Sequence, residues 1–370
     1  MVAALTLPRL LFGSGSLSAL PGELALLGVI KPLLISDRGL ERAGMVAKVL
    51  DALPRKATQF LDVPENPTVA GADAALACYQ QAGADGVVAL GGGSVLDTAK
   101  MVAALAGGKV RSAVVLVGKP ELIGPEVVPL VAIPTTLGTG SESSPVAALH
   151  FDANGTAIGT RSFRLVPKLA VCDPDLTRTL PPRLIAATGI DALSHCIEGF
   201  FAEPSTPFID ALALDGIVRV FAAIRAALEP GGDAARTSLM AAAFAGGIAI
   251  NKGLGPAHAI ALACGDQHLH HGTLIGVALP TAVALVAPHL TAKASRVAAA
   301  LGLRDGSDLA AALRELTAAV GLPGTLREAG YRAGSVDQLT DLLVRSPFNR
   351  TSPYVPTPAE YRQIAIGLLA

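Results

Sequence analysis

The chain has 370 residues, 51% of them hydrophobic, and a formal net charge of −1 at pH 7. Single hydrophobic cores rarely grow beyond ~250–300 residues, so this length predicts two domains with ample apolar surface to bury. The scattered lysines and arginines form no basic stripe, which excludes a nucleic acid as the expected partner.

Neither the cysteines nor the apolar stretches indicate secretion or a membrane. The four cysteines lie far apart and form no CxxC pair, which is typical of reduced thiols in a cytoplasmic protein. The N-terminal segment lacks the basic residue and the uninterrupted apolar run of a secretion signal. The longest uncharged apolar stretch, residues 272–288, is broken by Pro280 and falls short of the ~20 residues of a spanning helix. We therefore expect a core helix there and no membrane partner.

The first half of the chain alternates short apolar runs with helical patterns. Apolar runs of five or six residues suit strands buried on both faces. The β-α-β rhythm is typical of a parallel sheet that is covered by helices on both sides. The expected strands lie within residues 31–37, 58–63, 86–94, 129–136 and 168–174.

After Pro181 the strand-like runs stop, and long alanine-rich helical patterns follow. The pair Pro181-Pro182 is a natural helix start, because the first helical position needs no backbone N–H donor. We therefore predict an α/β domain over residues 1–180 and an all-helical domain over residues 181–370. The fold class is α/β plus all-α, with a Rossmann-like parallel-sheet nucleotide domain preceding the helical one.

The segment GVVALGGGSVLDTAK, residues 86–100, predicts a strand, a glycine-rich turn and a helix. Three consecutive glycines let a ligand approach the backbone closely. The helix that follows offers free N–H groups and the positive end of its dipole to an anionic diphosphate. The segment matches neither the GxGxxG fingerprint nor a Walker loop. An ordinary tight strand-to-helix turn is the alternative.

Two further polar features follow predicted strands. The loop IPTTLGTGSESSP carries the hydroxyl groups of Thr135, Thr136 and Thr139, which can line a phosphate or ribose pocket. A plain surface loop has the same composition. Asp37 ends the first long strand, where a carboxylate can accept hydrogen bonds from a ribose diol and repel a 2′-phosphate. A helix N-cap is the alternative for Asp37.

Four of the seven histidines fall within residues 255–272. On another predicted helix, Asp191 and His195 are four residues apart, so both side chains share one face. One carboxylate with several imidazoles suits a divalent transition metal such as Fe²⁺ or Zn²⁺, whereas the HExxH motif of metalloproteases is absent. A helix-packing pair and a solvated loop are the alternatives. The clustered histidines are His258, on a helical run, and His268, His270 and His271, in the loop that follows.

Four segments resemble, in order, signature blocks of the iron-dependent (group III) alcohol dehydrogenase family. Together the blocks span nearly the whole chain, so chance agreement is implausible. The resemblance implies an N-terminal dinucleotide-binding domain and a C-terminal helical metal-binding domain, a dehydroquinate-synthase-like architecture with the active site in the cleft between them. The segments are ENPTVAGADAALACYQQAGADGVVALGGGSVLDTAK, AIPTTLGTGSE, DPDLTRTLPPRLIAATGIDALSHCIEGF and GLGPAHAIA with the later HHG.

The resemblance also implies a metal site made of one aspartate and three histidines. Asp191 and His195 match the first pair of ligands, and His258 matches the third. His271 matches the fourth, because the family places that histidine directly before a glycine. The spacing from His258 is one residue shorter than in the family, so His270 is the alternative. The implied metal is Fe²⁺, with Zn²⁺ as the second choice.

NAD is the cofactor that the resemblance implies. The glycine-rich turn matches the diphosphate loop of the family, and the acid at Asp37 matches the one that favours NAD over NADP. The implied cofactor-binding residues are Asp37, Gly91, Gly92, Gly93, Ser94, Asp97, Thr135, Thr136 and Thr139.

One position departs from the family pattern. Four residues after the third ligand, the family usually has a second histidine on the same helix face, which is thought to relay a proton. This chain has Leu262 there, and a leucine cannot titrate. A relay through water and the cofactor ribose needs no new geometry and is the first explanation. His268 and His270 are the candidate catalytic residues that could replace it from the loop, and an unusual substrate against an apolar wall is the third explanation.

These features predict a metal-dependent NAD(H) oxidoreductase that interconverts a small alcohol and its aldehyde or ketone, with a homodimer as the default assembly. The first alternative is a maleylacetate-reductase-like or hydroxy-acid oxidoreductase. In that case Lys252 could meet a substrate carboxylate, although we favour a solvated loop lysine. A dehydroquinate-synthase-like lyase and a non-catalytic nucleotide-binding relative rank lower, because the implied ligands are intact and the helical half carries few cationic groups near them.

Overall fold

The computed structural model describes residues 5–54, 57–151, 156–332 and 335–369. The chain forms two compact units. Unit 1 comprises Met1–Thr136 and Gly140–Leu180, and unit 2 comprises Leu137–Thr139 and Pro181–Ala370. The three-residue segment Leu137–Thr139 therefore groups with the helical unit, although the chain on both sides of it belongs to unit 1.

Unit 1 is built on a six-stranded sheet. The strands are β1 (Arg9–Phe12), β2 (Pro32–Ile35), β3 (Thr58–Phe60), β4 (Gly86–Gly91), β5 (Leu130–Pro134), β6 (Val146–His150), β7 (Ala157–Arg161) and β8 (Leu169–Cys172). The sheet order is β1-β8-β5-β4-β2-β3, and every neighbouring pair in it is parallel. Strands β6 and β7 form a separate antiparallel pair. The predicted parallel sheet is confirmed.

Helices cover both faces of this sheet, because successive residues of a strand point to opposite sides. Val88 and Leu90 pack in one apolar cluster with Leu20 of the first helix. Val87 and Ala89 pack in another, which contains residues of the fourth and fifth helices. The helices of unit 1 are α1 (Leu20–Leu26), α2 (Arg38–Arg42), α3 (Met45–Asp51), α4 (Val69–Ala82), α5 (Gly93–Gly107) and α6 (Ala113–Leu116).

The carboxyl ends of β2 and β4 lie side by side at a switch in the strand order. From β2 the chain proceeds to β3 on one side, and it returns to β4 on the other. In open α/β sheets, ligands bind outside the carboxyl ends of the strands at such a switch point. Asp37 follows β2 and Gly92 follows β4, so both lie where this rule expects a dinucleotide.

Unit 2 is helical throughout its described residues. Its first helix starts at the Pro181-Pro182 pair, as expected, with Pro182 in the first turn. The helices are α7 (Pro182–Phe201), α8 (Pro207–Leu228), α9 (Asp233–Ala249), α10 (Pro256–Ala263), α11 (His271–Val286), α12 (Thr291–Ala300), α13 (Leu309–Ala319), α14 (Val336–Val344) and α15 (Pro358–Leu369). The predicted combination of an α/β part with an all-α part is confirmed.

Helix α11 continues through Pro280, so the expectation that this proline breaks the apolar stretch is wrong. A proline inside a helix removes one hydrogen bond and costs ~3 kcal/mol, which the tertiary packing of an apolar helix can offset. Among the residues that the structure describes, two helical segments are long and apolar enough to cross a membrane by length and composition, Pro182–Phe201 and His271–His289. Their apolar stretches are 94% and 67% buried inside the protein, and buried core helices share this length and composition. The observation is therefore weak evidence for membrane insertion.

Candidate metal centre and nucleotide-binding elements

Asp191 and His195 lie one turn apart on the buried face of α7. Only 7% and 5% of their surfaces are exposed. The imidazole Nε2 atom of His195 lies 3.8 Å from the Oδ1 atom of Asp191. The expected sharing of a helix face therefore holds, and both groups point to one buried spot.

Two histidines from other helices join this pair. The Nε2 atoms of His258, on α10, and His271, at the start of α11, lie 3.9 and 3.7 Å from Asp191 Oδ1. Gly272 lets α11 approach α7, because a Cβ atom at this position would lie 2.4 Å from the carbonyl oxygen of Ala187. Any larger residue would push His271 away from Asp191.

The cluster has the dimensions and the chemistry of a metal site. At metal–ligand bonds of ~2.0–2.2 Å, tetrahedral ligand atoms lie roughly 3.4 Å apart, close to the separations seen here. Ligand atoms of Asp191, His195 and His258 all lie within 4.8 Å of one another. Asp191 Oδ1 and His258 Nε2 are buried and have no hydrogen-bond partner. Each such buried orphan costs ~1–3 kcal/mol, so a divalent cation fits the donors that converge here.

Burial also sets the protonation states that a metal needs. It raises the pKa of the Asp191 carboxyl well above its usual range, and the nearby Glu198 adds to this effect. Burial lowers the pKa of His195 well below its ordinary value and that of His258 to about 3. These imidazoles are therefore neutral near pH 7, and neutral imidazole nitrogens are metal ligands. A cation would also favour ionisation of Asp191.

Sequence reasoning missed Glu198. This residue follows His195 by three positions on α7 and is 6% exposed. Its Oε2 atom lies 2.7 Å from Nδ1 of His258, the ring nitrogen that faces away from Asp191. The spacing of Asp191, His195 and Glu198 places all three on one helix face, which is the signal that could have identified it.

The two remaining loop histidines and Leu262 differ in their exposure. His268 is exposed and adopts a left-handed backbone conformation with φ of 56°. His270 is partly buried and is the residue directly before α11. Leu262 is partly buried on α10, one turn after His258. The ring of Phe348 lies edge-on to that of His258, with 5.8 Å between centroids.

Lys252 is buried in an internal ion pair, so the interpretation as a solvated loop lysine is wrong. Its ammonium lies 2.5 Å from Oδ1 of Asp210 and donates to the carbonyl oxygen of Phe200. The side chains of Lys252 and Asp210 are 3% and 6% exposed. The ion pair joins the segment after α9 to α8. The Lys252 ammonium is therefore not exposed to a substrate carboxylate.

In unit 1 the glycine-rich turn packs closely against its neighbours. A Cβ atom at Gly91 would lie 2.6 Å from Val95, and one at Gly92 would lie 3.0 Å from Thr136. Helix α5 begins at Gly93 with no side chain capping its N-terminus. Its first N–H groups are therefore available to an anion. The hydroxyl oxygen of Thr136 beside it is buried and has no hydrogen-bond partner.

Asp97 and Ser94 fix the surroundings of this turn. The Asp97 carboxylate accepts hydrogen bonds from the Ser141 hydroxyl at 2.6 Å and from the Ala148 N–H at 2.8 Å. The Ser94 hydroxyl donates to the carbonyl oxygen of Glu65. Asp97 thus holds the hydroxyl-rich loop on α5. That loop also carries the hydroxyl groups of three threonines. Thr135 and Thr136 belong to unit 1, and Thr139 belongs to unit 2.

Asp37 is the N-cap of α2. Its Oδ1 atom accepts a hydrogen bond from the Leu40 N–H at 2.9 Å. This is the structural role that the sequence left open as an alternative. It occupies one carboxylate oxygen, and Asp37 keeps a second oxygen at the carboxyl end of β2.

Similarity to known proteins extends over nearly the whole chain. The sequence model of the iron-containing alcohol dehydrogenase family matches residues 8–174. The model of the C-terminal part of that family matches residues 185–365. A 4-hydroxybutyrate dehydrogenase of Cupriavidus necator is 38% identical over 95% of both chains.

Solved structures share the fold at lower sequence identity. A 1,3-propanediol oxidoreductase superposes with a TM-score of 0.92 at 26% identity, covering 100% of both chains. A sulfoacetaldehyde reductase of Bifidobacterium kashiwanohense, solved with NAD⁺, gives a TM-score of 0.92 at 25% identity, covering 100% of this chain and 99% of that one. The resemblance read from the sequence is confirmed: the chain belongs to the iron-containing alcohol dehydrogenase family and is an oxidoreductase of that type.

Proposed function

We propose that this protein is a metal-dependent NAD(H) dehydrogenase that interconverts a small alcohol and its aldehyde or ketone. The observation that carries the proposal is the convergence of three imidazole nitrogens on Asp191 Oδ1, at 3.7 to 3.9 Å. Asp191 Oδ1 and one of the three nitrogens, His258 Nε2, are buried without a hydrogen-bond partner, a cost that a folded protein sustains where a ligand satisfies such atoms.

In this proposal the side chains of Asp191, His195, His258 and His271 would hold the metal. Their mixture of nitrogen and oxygen donors accepts Fe²⁺, and also Zn²⁺. When bound, such an ion supplies Lewis acidity that lowers the pKa of a substrate hydroxyl. The protein side chains hold that position rigidly, because two ligands come from α7 and the others from α10 and α11.

We assign NAD binding to the domain of residues 1–180 and metal binding to residues 181–370. The carboxylate of Asp37 accepts hydrogen bonds from a ribose diol and repels a 2′-phosphate, which favours NAD over NADP. The α5 N-terminus and the buried Thr136 hydroxyl receive the diphosphate. Asp97 acts on this pocket by holding Ser141. The cofactor-binding set is Asp37, Gly91, Gly92, Gly93, Ser94, Thr135, Thr136 and Thr139, with Asp97 positioning the loop.

In this proposal water would take up the proton of the alcohol, and the ribose of bound NAD would supply a further hydroxyl for its relay. Leu262 occupies the position one turn after His258 and cannot carry a proton. His268 and His270 are the alternative carriers. General acid–base help is worth ~10²–10⁴-fold, so a water relay slows turnover without abolishing it.

A second candidate function is oxidation of an ω-hydroxy acid, supported by the 38% identity to a 4-hydroxybutyrate dehydrogenase over 95% of the chain. Such a substrate is itself a primary alcohol, so the same metal and NAD chemistry applies. A cytoplasmic homodimer remains our prediction for the assembly.

Anaerobic purification with metal analysis, followed by an NADH-oxidation screen, tests both candidates. We expect bound metal and NADH consumption with small aldehydes. A kcat/KM for 4-oxobutanoate well above that for butanal would select the hydroxy-acid function, and the reverse would select a simple alcohol. A metal-free protein without NADH-dependent turnover would overturn the proposal.

A further inference from the structure

Glu198 contacts two different parts of α10 with its two carboxylate oxygens. Oε1 accepts a hydrogen bond from the backbone N–H of Ala257 at 2.7 Å. Oε2 lies 2.7 Å from Nδ1 of His258. Glu198 is itself on α7, three residues after His195, and is 6% exposed. A single buried carboxylate thus joins the helix of Asp191 and His195 to the helix of His258.

We infer that Glu198 is the positioning residue of the metal site, which fixes the tautomer and the ring orientation of His258 while it caps α10. This inference rests on the proposed metal site. Oε1 accepts the Ala257 N–H, and Oε2 in its ionised form can only accept a hydrogen bond, which assigns the ring proton of His258 to Nδ1. The Nε2 atom is then unprotonated, and its lone pair points to the cluster, 3.9 Å from Asp191 Oδ1. Metal-ligating histidines typically donate their other N–H group to such a partner.

The other carboxylate oxygen of Glu198, Oε1, caps helix α10. Helix α10 begins at Pro256, and its N-cap residue, Gly255, has no side chain to accept a hydrogen bond. The first N–H groups of a helix need an acceptor from elsewhere. Glu198 supplies it from α7, at the Ala257 N–H. A Cβ atom at Gly255 would lie only 3.0 Å from Oε1, so glycine leaves the carboxylate room to approach.

The double role requires a carboxylate and not an amide. Glutamine has the size of glutamate but one acceptor oxygen. If that oxygen takes the Ala257 N–H, the amide NH₂ faces Nδ1 of His258 and forces the ring proton onto Nε2. If it takes the His258 proton instead, the NH₂ faces the Ala257 N–H and the cap is lost. Glu198→Gln therefore disturbs the metal site while it preserves volume.

Metal titration of the apoprotein tests the inference. We would measure the Kd for Co²⁺ by competition with a chromophoric chelator, the visible spectrum of bound Co²⁺, and the Tm without metal. Changes in the partners of a metal-ligating histidine typically weaken metal affinity ~10–100-fold. We expect a weakening in this range for Glu198→Gln, with an altered Co²⁺ spectrum and retained helical circular dichroism.

Glu360→Gln is the matched control. Glu360 is also a carboxylate at the start of a helix in unit 2, and its Oε2 accepts a hydrogen bond from the Thr357 N–H at 2.7 Å. Within the part of the chain that the structure describes, the Glu360 carboxylate accepts hydrogen bonds from Tyr354 and Thr357 and from no histidine. A purely structural role for Glu198 would make both variants alike, with a lowered Tm and an unchanged Co²⁺ affinity. We expect the control to keep the wild-type affinity and spectrum.

Glu198→Gln with a Co²⁺ Kd within twofold of wild type would overturn the inference. Absence of metal binding by the wild type would instead overturn the proposed function. Should the variant fail to fold, ¹⁵N-histidine NMR of the wild-type apoprotein determines which ring nitrogen of His258 carries the proton. The signal assigned by its loss in His258→Gln should show a proton on Nδ1, and a proton on Nε2 would contradict the assignment.

Discussion

Removal of the Lys252 charge should destabilise the protein without changing its recognition of a carboxylate. The Lys252 ammonium lies 2.5 Å from Asp210 Oδ1, and the two side chains are 3% and 6% exposed. Lys252→Met keeps the apolar stem and removes the charge. Asp210 then remains buried as an uncompensated carboxylate, with the Ser205 hydroxyl as its remaining side-chain partner.

The burial of both side chains sets the loss in the free energy of unfolding that we expect for Lys252→Met. Breaking a buried ion pair by removing one partner costs ~3–5 kcal/mol. The hydrogen bond from Ser205 keeps part of the Asp210 solvation, so we expect the lower end, about 3 kcal/mol. Lys252→Met/Asp210→Leu should recover most of this loss, since an apolar pair leaves no buried charge. Arg219→Met is the control: its pair with Asp215 on α8 is 41% and 55% exposed, and such exposed pairs contribute ~1 kcal/mol or less.

Urea unfolding of the variants, followed by circular dichroism, measures these free energies. Loss of less than ~1 kcal/mol in Lys252→Met would refute the reasoning, because the pair would then behave like an exposed one. Steady-state kinetics give an independent check. A KM that rises at least tenfold for 4-hydroxybutyrate but not for a neutral alcohol would show that Lys252 meets the substrate.

Three further predictions concern single side chains. Leu262→His should retain the metal and leave or raise turnover near neutral pH, measured by metal analysis and NADH oxidation; loss of metal would show that Leu262 is a packing position. Asp37→Ser keeps an N-cap on α2 and should raise the kcat/KM ratio of NADP to NAD by roughly tenfold, or ~1.4 kcal/mol. Burial raises the pKa of Glu142 from 4.5 to about 7, so the stability it contributes is full below pH 4.5 and is lost as the pH rises through 7. Urea unfolding between pH 5 and 8 should show that the free energy of unfolding falls less with rising pH in Glu142→Gln than in the wild type. Equal pH dependence in the two proteins would contradict the prediction.

The sequence predicts what depends on local pattern. The buried strands read as continuous apolar runs, and the helix starts at Pro181-Pro182. The four-residue spacing of Asp191 and His195 is enough to place both on one helix face. The segments that resemble the iron-containing alcohol dehydrogenases are also local, and the family matches over residues 8–174 and 185–365 confirm them.

Features that depend on contacts between distant residues could not be predicted in this way. The contact of Glu198 with His258 spans 60 positions, and that of Lys252 with Asp210 spans 42. Spacing alone also leaves His270 and His271 as alternatives for the last ligand. The structure brings His271 Nε2 to 3.7 Å from Asp191 Oδ1, through a close helix approach that no local pattern encodes.

The most direct test of the metal site is the iron content of three proteins purified without oxygen: the wild type, Asp191→Ala and His258→Ala. The proposed ligand set predicts bound iron in the wild type only and loss of NADH-dependent activity in both variants. Retention of full metal content in both variants would contradict the assignment of these residues as ligands.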